Sequence, residues 1–311
     1  VSWDGRHALV TGGAGFVGSH LTEALVKRGA RVTVVDNMST GREEHLRHLA
    51  RDVTIVRGST SAPLDLARAM QGVDTVFHLA AVLGVKRTWE EPVRVIQENV
   101  EGTLHVLRAA AEAGARHVVL ASSSEVYGDG DPPYAEDATP AAPRTGYAAA
   151  KLVEEKLAEG FTSETGMTTT ALRYFNVYGP RQERSAYGFV ASIFCDRVRQ
   201  GLAPVVFGSG EQTRDFTFVE DTVEGTLLAA ERGAGGKHAV LNLGTGVETR
   251  IVDLARAIAE AAGKPELRPT FAPPRADEVQ RRVADSRRAR ETLGWEPRVP
   301  LSEGLARTLG A

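Results

Sequence analysis

The sequence predicts an α/β chain built on a doubly wound parallel sheet, with a smaller discontinuous C-terminal domain. Three observations carry this. Continuous apolar, β-branched runs recur at His7–Val10, Arg31–Val35, Val53–Val56, Val73–Leu79, Val118–Ala121 and Thr168–Leu172. Amphipathic helical patterns separate them at Leu64–Met70, Val93–Ala113 and Tyr147–Thr165. Such alternation belongs to a parallel sheet covered on both faces. After about Tyr174 the texture changes: Gly, Pro and Arg become frequent and helical pieces shorten (Val190–Gln200, Asp221–Glu231, Ile251–Ala262, Ser286–Leu293). The expected division is 1–175 for the sheet domain, with 216–243 returning to it, and 176–215 plus 244–311 for the second. Both Phe216–Val219 and Val240–Leu243 read as strands that rejoin the main sheet. The cleft between the two parts is where a ligand belongs.

The first strand runs into Thr11-Gly12-Gly13-Ala14-Gly15-Phe16-Val17-Gly18, and a helical pattern follows at once. Glycines at 12, 15 and 18 allow the tight turn, the approach of a pyrophosphate and close helix–strand packing. The helix amino end then offers amides to the anion. The second strand ends in Asp36, placed to accept hydrogen bonds from an adenosine ribose and to repel a 2′-phosphate, which favours NAD over NADP.

Composition bounds the rest. The chain has 311 residues, a net charge of −3 and a single cysteine. That balance points to neither nucleic acid nor membrane. Cys195 lies in an amphipathic pattern and reads as a packing residue in a reducing compartment, so a cytoplasmic location is expected. The histidines have no metal-ligand spacing. His78 reads as ordering a loop beside the cofactor, Lys86 as a solvated lysine, and Trp3 and Trp89 as packing or surface residues. The wide apolar face of the helix after Pro92 (Val95, Val100, Leu104, Val106, Leu107) and the one after Tyr147 could form a homodimer's four-helix seam. Burial within one subunit would give the same pattern.

Tyr147-Ala148-Ala149-Ala150-Lys151 sets a phenol and an ammonium one helical turn apart on one face. A nearby cation favours the phenolate and makes the tyrosine a usable base. Ser122, Ser123 and Ser124 follow a strand end, where a doubly wound sheet places reactive groups. Ser123 could align a substrate hydroxyl toward Tyr147.

Together these motifs resemble the extended short-chain dehydrogenase/reductases that modify nucleotide sugars on a Rossmann sheet. The resemblance extends through Asp36-Asn37, Ser39-Thr40-Gly41, His78-Leu79-Ala80-Ala81, Asn99, Arg173–Arg181, Gly208–Phe216 and Leu293–Pro297. It implies an NAD-dependent enzyme acting on a UDP-sugar through a 4-keto intermediate. NAD would be held by Gly12, Gly15, Phe16, Val17, Gly18, Asp36, Asn37, Ser39, Thr40, Gly41, Leu79, Ala80, Ala81, Asn99, Ser122, Tyr147 and Lys151. Ser124, Asn176, Arg181, Val205, Arg214, Arg275 and Arg282 would face the substrate. Ser123, Glu125, Tyr147, Lys151 and Arg282 would carry catalysis.

Ser123-Ser124-Glu125 is similar to the Thr-Ser-Glu of UDP-glucuronate decarboxylases, and it lacks the aspartate of the 4,6-dehydratases. Gln280-Arg281-Arg282 with Asp285 resembles the decarboxylase segment whose arginine reaches the sugar carboxylate. The implied reaction is decarboxylation of UDP-glucuronic acid to UDP-xylose, UDP-4-keto-xylose or both. Two features depart from that pattern. The three alanines between Tyr147 and Lys151 are as in many epimerases, and Ser59 stands where many relatives carry an aspartate that contacts adenine. A nucleotide-sugar 4-epimerase is therefore the second reading and a 4,6-dehydratase the third. A non-catalytic NAD-binding regulator is the non-enzyme alternative, and the intact Ser123, Tyr147 and Lys151 set speaks against it.

Overall fold

The computed structural model describes every residue except 1, 139–142, 183–188, 234, 236, 276–277 and 311, and leaves out the side chains of 85–86. The first half alternates as expected: β1 (His7–Thr11), α1 (Phe16–Lys27), β2 (Arg31–Asp36), β3 (Val53–Arg57), α2 (Pro63–Ala69), β4 (Thr75–His78), α3 (Val85–Glu90), α4 (Pro92–Glu112), β5 (His117–Ser123), α5 (Gly146–Thr165) and β6 (Thr168–Tyr174). Shorter elements follow: β7 (Val177–Tyr178), α6 (Val190–Arg199), β8 (Val205–Phe207), β9 (Thr213–Arg214), β10 (Thr217–Phe218), α7 (Val219–Arg232), β11 (His238–Leu243), β12 (Thr249–Arg250), α8 (Ile251–Ala261), β13 (Thr270–Ala272), α9 (Arg287–Leu293) and α10 (Leu301–Leu309).

Seven strands form one parallel sheet in the order β11-β6-β5-β4-β1-β2-β3. The chain leaves β1 in one direction for β2 and β3, then crosses to β4 on the other side. The carboxyl ends of β1 and β4 therefore part, and the crevice between them is the ligand position of an open α/β sheet.

β1 is buried along its whole length. Leu21 and Leu25 of α1 and Val223 and Leu227 of α7 belong to the core on one face. Leu66 of α2, Val106 and Leu107 of α4 and Ala158 of α5 belong to the core on the other. Each such aliphatic side chain contributes about 1.5–3 kcal/mol by leaving water. α5 starts where Thr145 accepts a hydrogen bond from the Ala148 amide at 3.1 Å and stops at Gly166, whose φ is +75°.

One strand expectation needs correction. Val240–Leu243 joins the main sheet as β11, but Phe216–Val219 does not. Its strand portion, β10, pairs with β7 in a separate two-stranded sheet, and Val219 already begins α7. A short apolar run shows that a segment is buried, not which edge it finds. The short α3 and α10 were not among the expected helices, although α10 is amphipathic and buries Leu305 against the core.

Candidate active site

The glycine-rich turn has the shape a dinucleotide needs. Gly12 sits at φ +70°, and a Cβ there would lie 2.8 Å from the Ala80 amide nitrogen. A Cβ on Gly18 would collide with the Gly12 carbonyl oxygen. The turn and the Leu79–Ala81 loop thus touch backbone to backbone and leave the amino end of α1 open. Phe16 and Val17 form the first turn of α1 and pack on the core. Asp36 accepts hydrogen bonds from the Ala14 amide at 2.9 Å and the Met38 amide at 2.8 Å, which aims its carboxylate at the turn. Gly41 lies against it, since a Cβ there would come within 2.7 Å of Asp36 Oδ1. Asn37, Ser39 and Thr40 form the exposed loop between them. This cradle fits NAD: backbone amides and a helix amino end for the pyrophosphate, a carboxylate for the ribose.

Two residues expected to hold the cofactor are hydrogen-bonded within the protein. Asn99 receives the Val82 amide at 2.7 Å and donates to the Val82 carbonyl at 2.8 Å, so its amide fixes the loop after β4. Ser122 donates to Glu155 Oε1 at 2.5 Å and is buried. His78 is also buried, between Thr11 Oγ1 at 2.7 Å and Thr103 Oγ1 at 2.9 Å. Burial, with the nearby Lys151 charge, lowers its pKa to about 3, so it is neutral.

Tyr147 and Lys151 lie on the first turns of α5, beside the end of β5. The Lys151 ammonium is 5.6 Å from the centre of the Tyr147 ring. Ser123, beside the phenol, accepts the Glu125 amide at 3.2 Å, capping the 3-10 turn Ser124–Tyr127, in which Ser124 is buried. The expected lowering of the phenol pKa is not produced by the protein's own groups. Desolvation raises Tyr147, Lys151 opposes it, and Glu154 and Glu125 add to the rise. Lys151 itself is pulled down by burial but held above its ordinary value by Glu154, whose Oε2 lies 2.9 Å from Nζ.

The other side of the cleft is built by segment 280–285, held on two sides. Thr213 and Asp215 donate to the carbonyls of Gln280 and Arg282, while Tyr134 pairs with Val283 and Asp285. Buried Asp215 accepts from Ala284 N at 3.1 Å, Thr245 N at 2.8 Å, Thr245 Oγ1 at 2.5 Å and Gly246 N at 2.9 Å. This stitching delivers Arg282, buried, onto Glu125, which stays 41 % exposed. Arg214 donates to the Thr213 and Val279 carbonyls, each at 2.8 Å. Burial and the neighbouring Arg282 lower its pKa, with Glu278 opposing. Two guanidinium groups held this close make an anion site.

The remaining expected substrate residues each have contacts of their own. Asn176, at φ +27°, donates to the Asp215 carbonyl at 3.1 Å. Val205 opens β8 opposite Thr270. Arg275 lies over the Phe207 ring at 4.4 Å. Arg181 is engaged elsewhere, donating to Ser19 Oγ at 3.3 Å and Glu23 Oε2 at 2.7 Å on α1. That contact ties the loop after β7 to the helix under the cofactor turn. The Lys86 side chain lies outside the described residues. Sequence reasoning missed Glu154, Glu155 and Arg173. All three are buried, and the sequence signal was there: Glu154 and Glu155 stand three and four residues beyond Lys151, on the turn below it.

The family model described as "NAD dependent epimerase/dehydratase family" matches residues 8–244. The chain is 37 % identical over 314 residues to a UDP-N-acetyl-alpha-D-glucosaminuronate decarboxylase of Bacillus cytotoxicus, covering 98 % of this chain and 97 % of that protein. It is 38 % identical over 307 residues to a UDP-glucose 4-epimerase of Mycolicibacterium smegmatis, covering 97 % and 96 %. The solved structure of MoeE5 in complex with UDP-glucuronic acid and NAD superposes with a TM-score of 0.87 at 34 % identity, covering 98 % of each chain.

Proposed function

The chain belongs to the NAD-dependent epimerase/dehydratase family, whose members modify nucleotide sugars, and from that premise we propose that it decarboxylates UDP-glucuronic acid. The observation that carries this reading is the buried Arg282 set against Glu125, two residues from Ser123. A cation already desolvated in the cleft, next to Arg214, is suited to receive a sugar carboxylate as well as a diphosphate.

Bound NAD supplies the hydride acceptor for C4 of the sugar. Tyr147 takes the 4-hydroxyl proton, Ser123 aligns that oxygen, and Lys151 holds positive charge beneath the phenol. With C4 a ketone, a C6 carboxylate is a β-keto acid. The C5–C6 bond breaks, carbon dioxide leaves, and the electron pair moves to O4 as an enolate. Arg282 orients the carboxylate until it leaves, and Glu125 holds Arg282 before the substrate arrives. Protonation at C5 completes the step and gives UDP-4-keto-xylose, or UDP-xylose where the hydride first taken from C4 is returned to it.

A 4-epimerase is the second reading, supported by the three alanines between Tyr147 and Lys151 and by the similarity to the Mycolicibacterium smegmatis enzyme. The test is incubation with UDP-glucuronate and mass analysis of the nucleotide sugar. Loss of C6 as carbon dioxide is expected. Retention of C6 with an inverted 4-hydroxyl would replace the decarboxylase with the epimerase.

The chain is also proposed to act as a cytoplasmic homodimer through α4 and α5. Val95, Val106 and Leu107 are buried within the subunit, but Val93, Ile96 and Val153 are left 75 %, 40 % and 44 % exposed on those helices. Light scattering should give twice the mass of the chain, and Val93→Glu with Val153→Glu should halve it.

A further inference from the structure

The catalytic lysine has a buried counter-ion. Glu154 lies one turn below Lys151 on α5, and its Oε2 is 2.9 Å from Nζ. The two side chains are only 1 % and 4 % exposed. The second carboxylate oxygen, Oε1, is buried and has no hydrogen-bond partner among the described residues. We propose that Glu154 is a positioning residue: it tethers Lys151 and cancels its charge, and so sets the pH at which Tyr147 becomes a base.

The pair sits in a dry place, where the balance of charge acts strongly on the phenol. A lone ammonium near the phenol would favour the phenolate, and a carboxylate bonded to that ammonium removes most of the benefit. Every charged group facing the pair enters the balance. Glu155 lies next along α5 and is committed to Arg173 of β6 at 2.7–2.9 Å. Glu125 is committed to Arg282. Burial raises the Glu154 pKa, and the Lys151 ammonium, with Thr103 of α4, opposes that rise and favours the carboxylate. Neutral His78 of β4 stands behind Thr103. That leaves Lys151 and Glu154 as the unscreened pair beneath Tyr147. The pair is also joined to the dinucleotide turn: Thr103 touches His78, His78 touches Thr11, and Thr11 Oγ1 accepts the Ala80 amide at 3.2 Å.

The inference rests on Tyr147 being the base, and it holds whether the product is a pentose or an epimer. The test reads Tyr147 directly. Holoenzyme labelled with 13C at the tyrosine Cζ is titrated by NMR, with Tyr147→Phe assigning the signal. Glu154→Gln should lower the Tyr147 pKa by about 1–2 units, and the acid limb of kcat/KM should move to lower pH with it. Glu154→Asp, which keeps the charge, should return the limb toward the parent. Lys151→Gln should raise the Tyr147 pKa, and Lys151→Gln with Glu154→Gln should bring it back near the parent value. If Glu154→Gln alone does not fold, the comparison of the lysine variant with the double variant decides. A Tyr147 titration identical with and without Glu154 overturns the proposal. A parent profile that Tyr147→Phe leaves intact would instead overturn Tyr147 as the base.

Discussion

Replacing Arg173 by Met should destabilise the protein by about 3–5 kcal/mol, the cost of leaving one partner of a buried ion pair alone. Arg173 reaches Glu155 with two parallel bonds, Nε to Oε1 at 2.9 Å and Nη2 to Oε2 at 2.7 Å. The side chains are 5 % and 6 % exposed, so water cannot replace the lost guanidinium. Arg173 also donates to the Glu136 carbonyl at 3.2 Å and lies 4.7 Å over the Tyr127 ring, and both contacts vanish with it. At about 1.5 °C per kcal/mol for a chain of 311 residues, the midpoint should drop by roughly 5–8 °C. Activity should fall too, because Glu155 holds Ser122, next to Ser123. Arg173→Met with Glu155→Leu removes both charges and should recover more than half of the loss in urea melts. The reasoning fails if the single variant costs less than about 1 kcal/mol, or if the double variant is worse than the sum of its parts.

Gly18→Ala, whose Cβ collides with the Gly12 carbonyl, should abolish retained NAD, read as the cofactor content of the purified protein. Arg282→Ala should cut turnover of UDP-glucuronate by at least about 100-fold, the scale for a buried charged contact, while sparing NAD content. Equal turnover of UDP-glucuronate in this variant and the parent would remove Arg282 from the carboxylate site. Acid should destabilise the fold through His78. Its pKa is about 3 in the protein and 6.5 when unfolded. The unfolded chain therefore gains a proton first as pH falls below 6.5, and stability is lost down to about pH 3. At pH 5 the loss is about 2 kcal/mol, and His78→Gln should flatten that part of the stability curve.

Much of this protein is local. The turn Gly12–Gly18 and the acid Asp36 could be placed because a strand, a tight turn and a helix each leave a short-range pattern, and glycine is required where a Cβ has no room. Tyr147 and Lys151 were visible because one helical turn fixes their relation. Phe216–Val219 was misplaced because a strand's partner is not written in its own residues.

Other features depended on chain segments meeting. Arg282 and Glu125 stand 157 positions apart and come together only because Asp215, Tyr134 and Thr213 hold segment 280–285 at the cleft. Arg181 could equally have faced a substrate, but the fold turns it onto Glu23. The Tyr147 pKa was decided the same way. Spacing along a helix supplies the nearby cation, whereas the desolvation that outweighs it comes from everything packed around α5. Periodicity and steric need act over a few residues and can be read along the chain; burial and long-range pairing belong to the folded whole.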